Sequence, residues 1–369
     1  MDISTENTHP ISVNDQMMKG IYFILTENCN LRCKYCFQGI KSDLRQERKT
    51  TKKVIDELVR YCKENHIKNV ELFGGEPLLY KDLFTYSVTR LKETCPNIHI
   101  GIFTNGTLID NKTLDFIKKH DISIILSLDG DRETHESMRG GFDDILSWIT
   151  KFNNKSRVRV ALQAAQVKGL YKNIKYVWDL DFACEVFVNI IQNYGWYDET
   201  DIAIFEKEYE KAILGMLNGE GILACALSTF DVINRNSHKI TRCNICDIGL
   251  AADWDGTLYP CQRASELGKE FAIGDLWNGV DQQKEKKLRI EIYNAITNSQ
   301  SANQYVVANY CPVSLYKKHH SFSEVLPDGF CRIIDIKAKL VAKYYYEMKE
   351  YFENYLKTMN LNFEPSAEI

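Results

Sequence analysis

The chain has no apolar run long enough to cross a bilayer, and its first twenty residues hold no apolar stretch of the kind that marks an export signal. It is therefore expected in the reducing cytoplasm, with no membrane partner. It also lacks a surplus of positive charge. Lys and Arg number 46 against 50 Asp and Glu, a formal net charge of −4, so no nucleic-acid partner is expected. Internal repeats and low-complexity linkers are missing as well, which removes solenoids and disordered tethers from consideration.

Cysteine, by contrast, is abundant. Twelve cysteines in 369 residues require a reason in a compartment that disfavours disulfides, where clustered cysteines bind metal or take part in catalysis. Eight fall in two regions: Cys29, Cys33 and Cys36 near the start, and Cys243, Cys246, Cys261, Cys311 and Cys331 near the end. The scattered Cys62, Cys95, Cys184 and Cys225 are expected to be buried small hydrophobes.

The first half alternates short apolar runs with amphipathic stretches. Residues 21–25, 70–73, 98–103, 122–128, 158–167 and 186–191 read as strands, with helical spacing between them. Six strands alternating with helices predict an α/β fold with a parallel sheet that curls toward a partial barrel. Its polar and glycine-rich segments follow strand ends, where such folds place ligands. The expected division is an N-terminal extension 1–19, a partial (β/α)6 barrel 20–195, a helical linker 196–240, a cysteine-rich region 241–333, and a C-terminal helix and tail 334–369. The apolar positions between 333 and 355 predict one long amphipathic helix packed on the body.

Cys29, Cys33 and Cys36 form a C-x3-C-x2-C spacing in the loop after the first strand. Three thiolates this close can hold three irons of a cubane cluster and leave the fourth iron to a small molecule. Zinc is the rival metal, but it usually wants four ligands at a structural site and often a histidine, and none lies near.

With its aromatic Tyr35 before the last cysteine, this spacing resembles the radical S-adenosylmethionine (SAM) superfamily. Three further segments agree in order: Gly-Gly-Glu-Pro at 74–77, Thr-Asn-Gly at 104–106 and Ser-Leu-Asp-Gly at 127–130, the last running on to Arg139 and Gly140. The resemblance implies a [4Fe–4S] cluster on Cys29, Cys33 and Cys36 that binds SAM. It implies that Gly74, Gly75 and Glu76 lie at the amino group of SAM, Ser127 and Arg139 at its carboxylate or ribose, and Tyr35 along the adenine. Asn105 is a further candidate contact. An external one-electron reductant, a flavodoxin or ferredoxin, would supply the electron.

Cys243 and Cys246, followed by Cys261 with Gly256 five positions before it, resemble the cysteine-rich extension called SPASM, or its shorter relative called twitch. This implies one auxiliary [4Fe–4S] cluster on Cys243, Cys246, Cys261 and Cys311. Cys331 could replace Cys311, or serve as a hydrogen-atom donor, and zinc again competes for the C-x2-C pair. A turn at 253–256 is expected to fold Cys261 back beside the first pair. The full extension has seven cysteines and two clusters, whereas five cysteines stand here.

Members with this extension mostly modify peptides or proteins, so a peptide substrate is expected, with crosslinking, epimerisation or oxidation as the outcome. Only about twenty residues precede the first strand, too few for a separate leader-binding domain. Anaerobic sulfatase maturases are similar in size but carry an aspartate where Gln262 stands. Small-molecule chemistry of the molybdenum-cofactor cyclase type and a non-catalytic metal protein are the alternatives.

Overall fold

The computed structural model describes residues 20–36, 47–152, 154–164, 167–191, 198–234, 250–297, 313 and 328–358. Six strands carry the first half: β1 (Gly20–Thr26), β2 (Asn69–Gly74), β3 (His99–Thr104), β4 (Ser123–Ser127), β5 (Val158–Ala164) and β6 (Glu185–Ile190). They pair in sequence order, all parallel. Alternation explains their two faces. Phe23, Val70, Leu72, Ile100, Ile102, Ile124, Leu126, Val158 and Val160 point outward and are buried beneath helices. The opposite parity puts Tyr22, Glu71, Phe73, Gly101, Phe103, Ser127, Arg159, Gln163, Glu185 and Phe187 on the inner face.

The connecting helices begin where short polar side chains can cap them. Thr51 accepts from Val54 N at the start of α1 (Lys52–Glu64). α2 (Lys81–Thr94) packs beside it. Asp110 caps α3 (Asn111–Lys119) and Asp131 caps α4 (Arg132–Met138), each accepting from the N–H three residues on. α5 (Phe142–Ile149) and α6 (Leu170–Asp179) follow. The helical stretch expected before β5 is these two short helices: α5 buries Phe142, Ile145, Trp148 and Ile149 on one face, whereas α4 is largely polar and shows no such stripe.

The helical segment after β6 comprises α7 (Glu199–Leu217) and α8 (Ala224–Asn234). Then β7 (Ala251–Ala252) and β8 (Thr257–Tyr259) form the expected hairpin, with Gly256 at φ +88° in its turn. β9 (Gly274–Asp275) and β10 (Gly279–Val280) extend it antiparallel, and α9 (Gln282–Thr297) follows. The hairpin joins the parallel sheet: β7 pairs with β1, Tyr22 opposite Ala251, giving the order β10-β9-β8-β7-β1-β2-β3-β4-β5-β6. Two-residue strands carry no period, so this junction left no trace in the sequence pattern.

The C-terminal helix is two helices, α10 (Asp328–Lys343) and α11 (Tyr345–Thr358). The break falls at Tyr344, whose N–H reaches Leu340 O at a long 3.3 Å. There Lys343 Nζ and the Tyr344 hydroxyl both donate to Glu210 of α7, at 2.6 and 2.7 Å, and pull the chain onto that helix. Both helices pack on α7 and α8. Of the scattered cysteines, Cys62 and Cys225 are buried, while Cys95 and Cys184 are half-buried.

Candidate active site

The site lies where β1 to β5 end. The three N-terminal cysteines sit in the loop after β1, which three neighbouring segments hold in place. Asn105, after β3, donates from Nδ2 to Asn30 Oδ1 at 2.9 Å and toward Cys29 Sγ at 3.8 Å. Leu31 N–H also donates to that sulfur, at 3.4 Å. Asn30 Nδ2 donates to Thr107 Oγ1 at 2.8 Å, and Lys34 N donates to Met138 O at 3.0 Å at the end of α4. Asn105, expected as a SAM contact, thus clamps the cysteine loop to the Thr-Asn-Gly turn.

The two glycines after β2 serve the backbone of that same loop. A Cβ on Gly74 would stand 2.0 Å from Thr26 O, and one on Gly75 2.3 Å from Asn28 O. Gly75 N and Glu76 N donate to Thr26 O and Asn28 O at 2.8 and 2.9 Å. Close approach here is between two chain segments of the protein. Glu76 is completely buried. Its Oε1 accepts from Leu78 N at 3.0 Å and Thr104 Oγ1 at 2.8 Å, and its Oε2 accepts from Asn105 N at 2.8 Å. The carboxylate therefore ties the loop after β2 to the loop after β3. Burial pushes its pKa up to about 7, and these donors pull the other way.

A second network surrounds Asp129, two residues beyond the end of β4. Its carboxylate accepts from the Tyr35 hydroxyl, from Arg139 Nε at 3.4 Å and Nη2 at 3.5 Å, and from Gln163 N at 3.1 Å. Burial alone would lower the Arg139 pKa, but the Asp129 carboxylate outweighs it and the guanidinium is held charged. The same guanidinium stands 5.4 Å over the Tyr35 ring. Nη1 of Arg139 makes no hydrogen bond among the described residues. His135 is buried with Nδ1 accepting from Asp129 N at 3.2 Å and Nε2 against Gly140 O at 3.1 Å, which assigns the proton to Nε2. Burial lowers its pKa and keeps it neutral. Ser127 lies half-buried on the inner face at the end of β4.

The residues fit an iron–sulfur cluster by their chemistry. Burial pushes the Cys29 thiol up to about 11, Leu31 N–H opposing it, while neighbouring Cys33 and Cys36 raise it further. Burial raises Cys33 too, against Arg139. Metal binding would therefore release protons here. Among the described residues no three His, Cys, Asp or Glu side chains converge on one ion. A cubane does not require that, since each thiolate meets its own iron. The N–H groups aimed at Cys29 Sγ are the hydrogen bonds that tune such a sulfur.

Asp129 and His135 were missed by sequence reasoning, although both stand inside the stretch from Ser127 to Gly140 that it singled out. Cys261 lies buried just after β8, close enough to Tyr22 to raise that phenol's pKa, behind burial and Glu71 in effect. Cys331 lies half-buried on α10. Cys243, Cys246 and Cys311 fall outside the described residues.

Known proteins resemble this chain over the same strands and loops. Residues 23–164 match the family described as the radical SAM superfamily. An uncharacterised protein of Methanocaldococcus jannaschii is 37% identical over 115 residues, 31% of this chain. That match spans 39% of the relative's length. A GTP 3′,8-cyclase of Campylobacter jejuni subsp. doylei is 25% identical over 72% of this chain and 88% of its own. A cysteine-type anaerobic sulfatase-maturating enzyme of Clostridium perfringens is 23% identical over 68% of this chain and 74% of its own. Among solved structures, native anSMEcpe with bound AdoMet superposes with a TM-score of 0.71 at 16% identity, covering 91% of this chain and 99% of that one. Streptococcus suis SuiB bound to precursor peptide SuiA gives 0.61 at 18% identity, covering 85% and 76%. At such identities the structures establish the fold.

Proposed function

Because residues 23–164 form a radical SAM domain, we propose that this enzyme uses a [4Fe–4S] cluster and SAM to modify a ribosomally made peptide. The observation that carries the reading is the cysteine loop itself: three thiols in one loop, two N–H groups aimed at Cys29 Sγ, and a buried arginine beside Cys33. Cys29, Cys33 and Cys36 would hold the cluster, which when bound would supply the one-electron chemistry for reductive cleavage of SAM and hydrogen-atom abstraction from the substrate.

The chain's own residues do the positioning. Asp129 orients Arg139, leaving Nη1 to meet the carboxylate of SAM, and holds Tyr35 by its hydroxyl. Glu76 and Asn105 fix the loops after β2 and β3 against the cysteine loop, while Ser127 offers a hydroxyl at the end of β4. Cys243, Cys246, Cys261 and Cys311 would hold one auxiliary cluster, with Cys331 the alternative to Cys311. Residues 241–333 would then form its domain and 20–195 the barrel.

The peptide reading is supported by likeness to a sulfatase-maturating enzyme and to a protein bound to a precursor peptide. A nucleotide substrate is the second reading, favoured by the long match to a GTP cyclase. The test is anaerobic incubation of reconstituted protein with SAM, dithionite and a synthetic peptide spanning any small reading frame beside the gene. A changed peptide mass that rises with 5′-deoxyadenosine is expected. An unchanged mass while deoxyadenosine accumulates would remove the peptide reading, and consumption of GTP in its place would establish the second.

A further inference from the structure

Glu71 stands on the inner face of β2, between Tyr22 of β1 and Gly101 of β3 in the parallel register. Its carboxyl lies over Gly101, where a Cβ would come within 1.9 Å of Glu71 Oε2. Glycine at 101 thus makes the recess that the carboxyl occupies. Oε2 is buried and has no hydrogen-bond partner among the described residues. Buried acceptors without a partner are rare in native proteins, and each points to something that completes it.

The surroundings narrow what that is. The rings of Tyr22, Phe73 and Phe103 form one cluster on the same wall, with centroids 5.1 to 6.1 Å apart. Further along the wall, Arg159 Nε donates to Glu185 Oε1 at 2.5 Å, and the Tyr355 hydroxyl donates to Glu185 Oε2 at 3.3 Å. Arg159 is thereby matched to Glu185, and Glu71 has no cation in contact among the described residues.

We infer that Glu71, recessed over Gly101 and flanked by Tyr22, Phe73 and Phe103, forms a subsite for a basic side chain of the substrate, a primary ammonium or a guanidinium. The inference rests on the peptide reading above. A cation would donate to the orphan oxygen through a charge-assisted bond, and the ring faces would attract it through their quadrupoles. A neutral amide would make only the weaker bond, and an acidic side chain would meet like charge. Burial already pushes the Glu71 carboxyl up to about 7 against the pull of Arg159, so an arriving cation would favour the ionised form and gain from doing so.

The experiment uses the full chain with both cluster regions reconstituted, and the synthetic peptide of the preceding section. Each Lys or Arg of that peptide is replaced in turn by norleucine, and apparent affinity is read from the peptide dependence of modification. One replacement should weaken wild-type affinity at least about tenfold, the scale of one charge-assisted hydrogen bond. The same replacement should have no effect in Glu71→Gln, nor in Gly101→Ala, whose methyl fills the recess by a different route. A peptide that is modified yet tolerates every replacement, or a sensitivity that persists in both variants, overturns the subsite and leaves the peptide reading standing. A peptide that is not modified at all overturns the peptide reading, and the subsite with it.

Discussion

Glu76→Gln separates two jobs that this residue could hold. If Glu76 meets the amino group of SAM, as the resemblance implies, the substitution weakens SAM binding and leaves the apoprotein as stable as before. The geometry gives it another task. Oε1 takes Leu78 N and Thr104 Oγ1, and Oε2 takes Asn105 N, so three donors surround two oxygens. A glutamine must turn its NH2 toward at least one of them. The least damaging orientation faces Asn105 N, losing one bond to a buried charged acceptor and leaving that N–H without a partner. Such a loss costs about 1.5–3 kcal/mol. Neutrality returns part of the desolvation that lifts the carboxyl to about 7, so a net loss of about 2 kcal/mol is expected at pH 8, where Glu76 is ionised. The assay is urea unfolding of the metal-free, SAM-free protein under anaerobic conditions, paired with SAM titration of the reconstituted form. An unchanged unfolding midpoint together with a sharp loss of SAM affinity would refute the loop-tie reasoning.

Two further predictions concern the other buried carboxyls. Asp129→Asn leaves the buried Arg139 without its counter-charge, and breaking a buried pair by removing one partner costs about 3–5 kcal/mol; a lower melting temperature and reduced iron uptake at the cysteine loop should both follow, and normal values of the two would show the network to be incidental. Glu71 has a folded pKa raised from 4.5 to about 7, so between those values the unfolded chain ionises first and stability falls as pH rises, levelling off above about 7. The span is up to about 3 kcal/mol, reduced by whatever water reaches the half-buried side chain. Glu71→Gln should flatten the urea-midpoint profile across that window, and an unchanged slope would contradict the assignment.

The order of the six strands was legible because buried parallel strands leave short apolar runs at regular intervals, and ligand loops follow them. The cysteine loop was legible as a spacing directly after the first strand, and the fold places Cys29, Cys33 and Cys36 in one loop there. What each loop residue does was less so. Gly74 and Gly75 were expected at the amino group of SAM; the close contacts they make in the fold are with the backbone at Thr26 and Asn28, which only the sheet register reveals. Asn105 and Glu76 are polar residues in a turn, and nothing local distinguishes a ligand contact from a loop clamp. Asp129 draws on Tyr35, Arg139 and Gln163, residues as far as 94 positions away in the chain, so its role exists only after folding. Glu71 interrupts an apolar strand, and its meaning depends on a glycine thirty residues later.

The pairing of β1 with β7 ties the two cysteine regions to one backbone. β1 leads directly into the loop of Cys29, Cys33 and Cys36. On its other edge Tyr22 N donates to Leu250 O at 2.9 Å, and the hairpin that follows ends at Cys261. The described part of the second cysteine region is therefore held to the first by main-chain hydrogen bonds within a single sheet. Side-chain substitutions in either loop leave those bonds in place. Replacing Cys261 should then leave the N-terminal cysteine loop in place. Disturbing β1 itself should disturb both together, because the same strand sets the height of one loop and the position of the other.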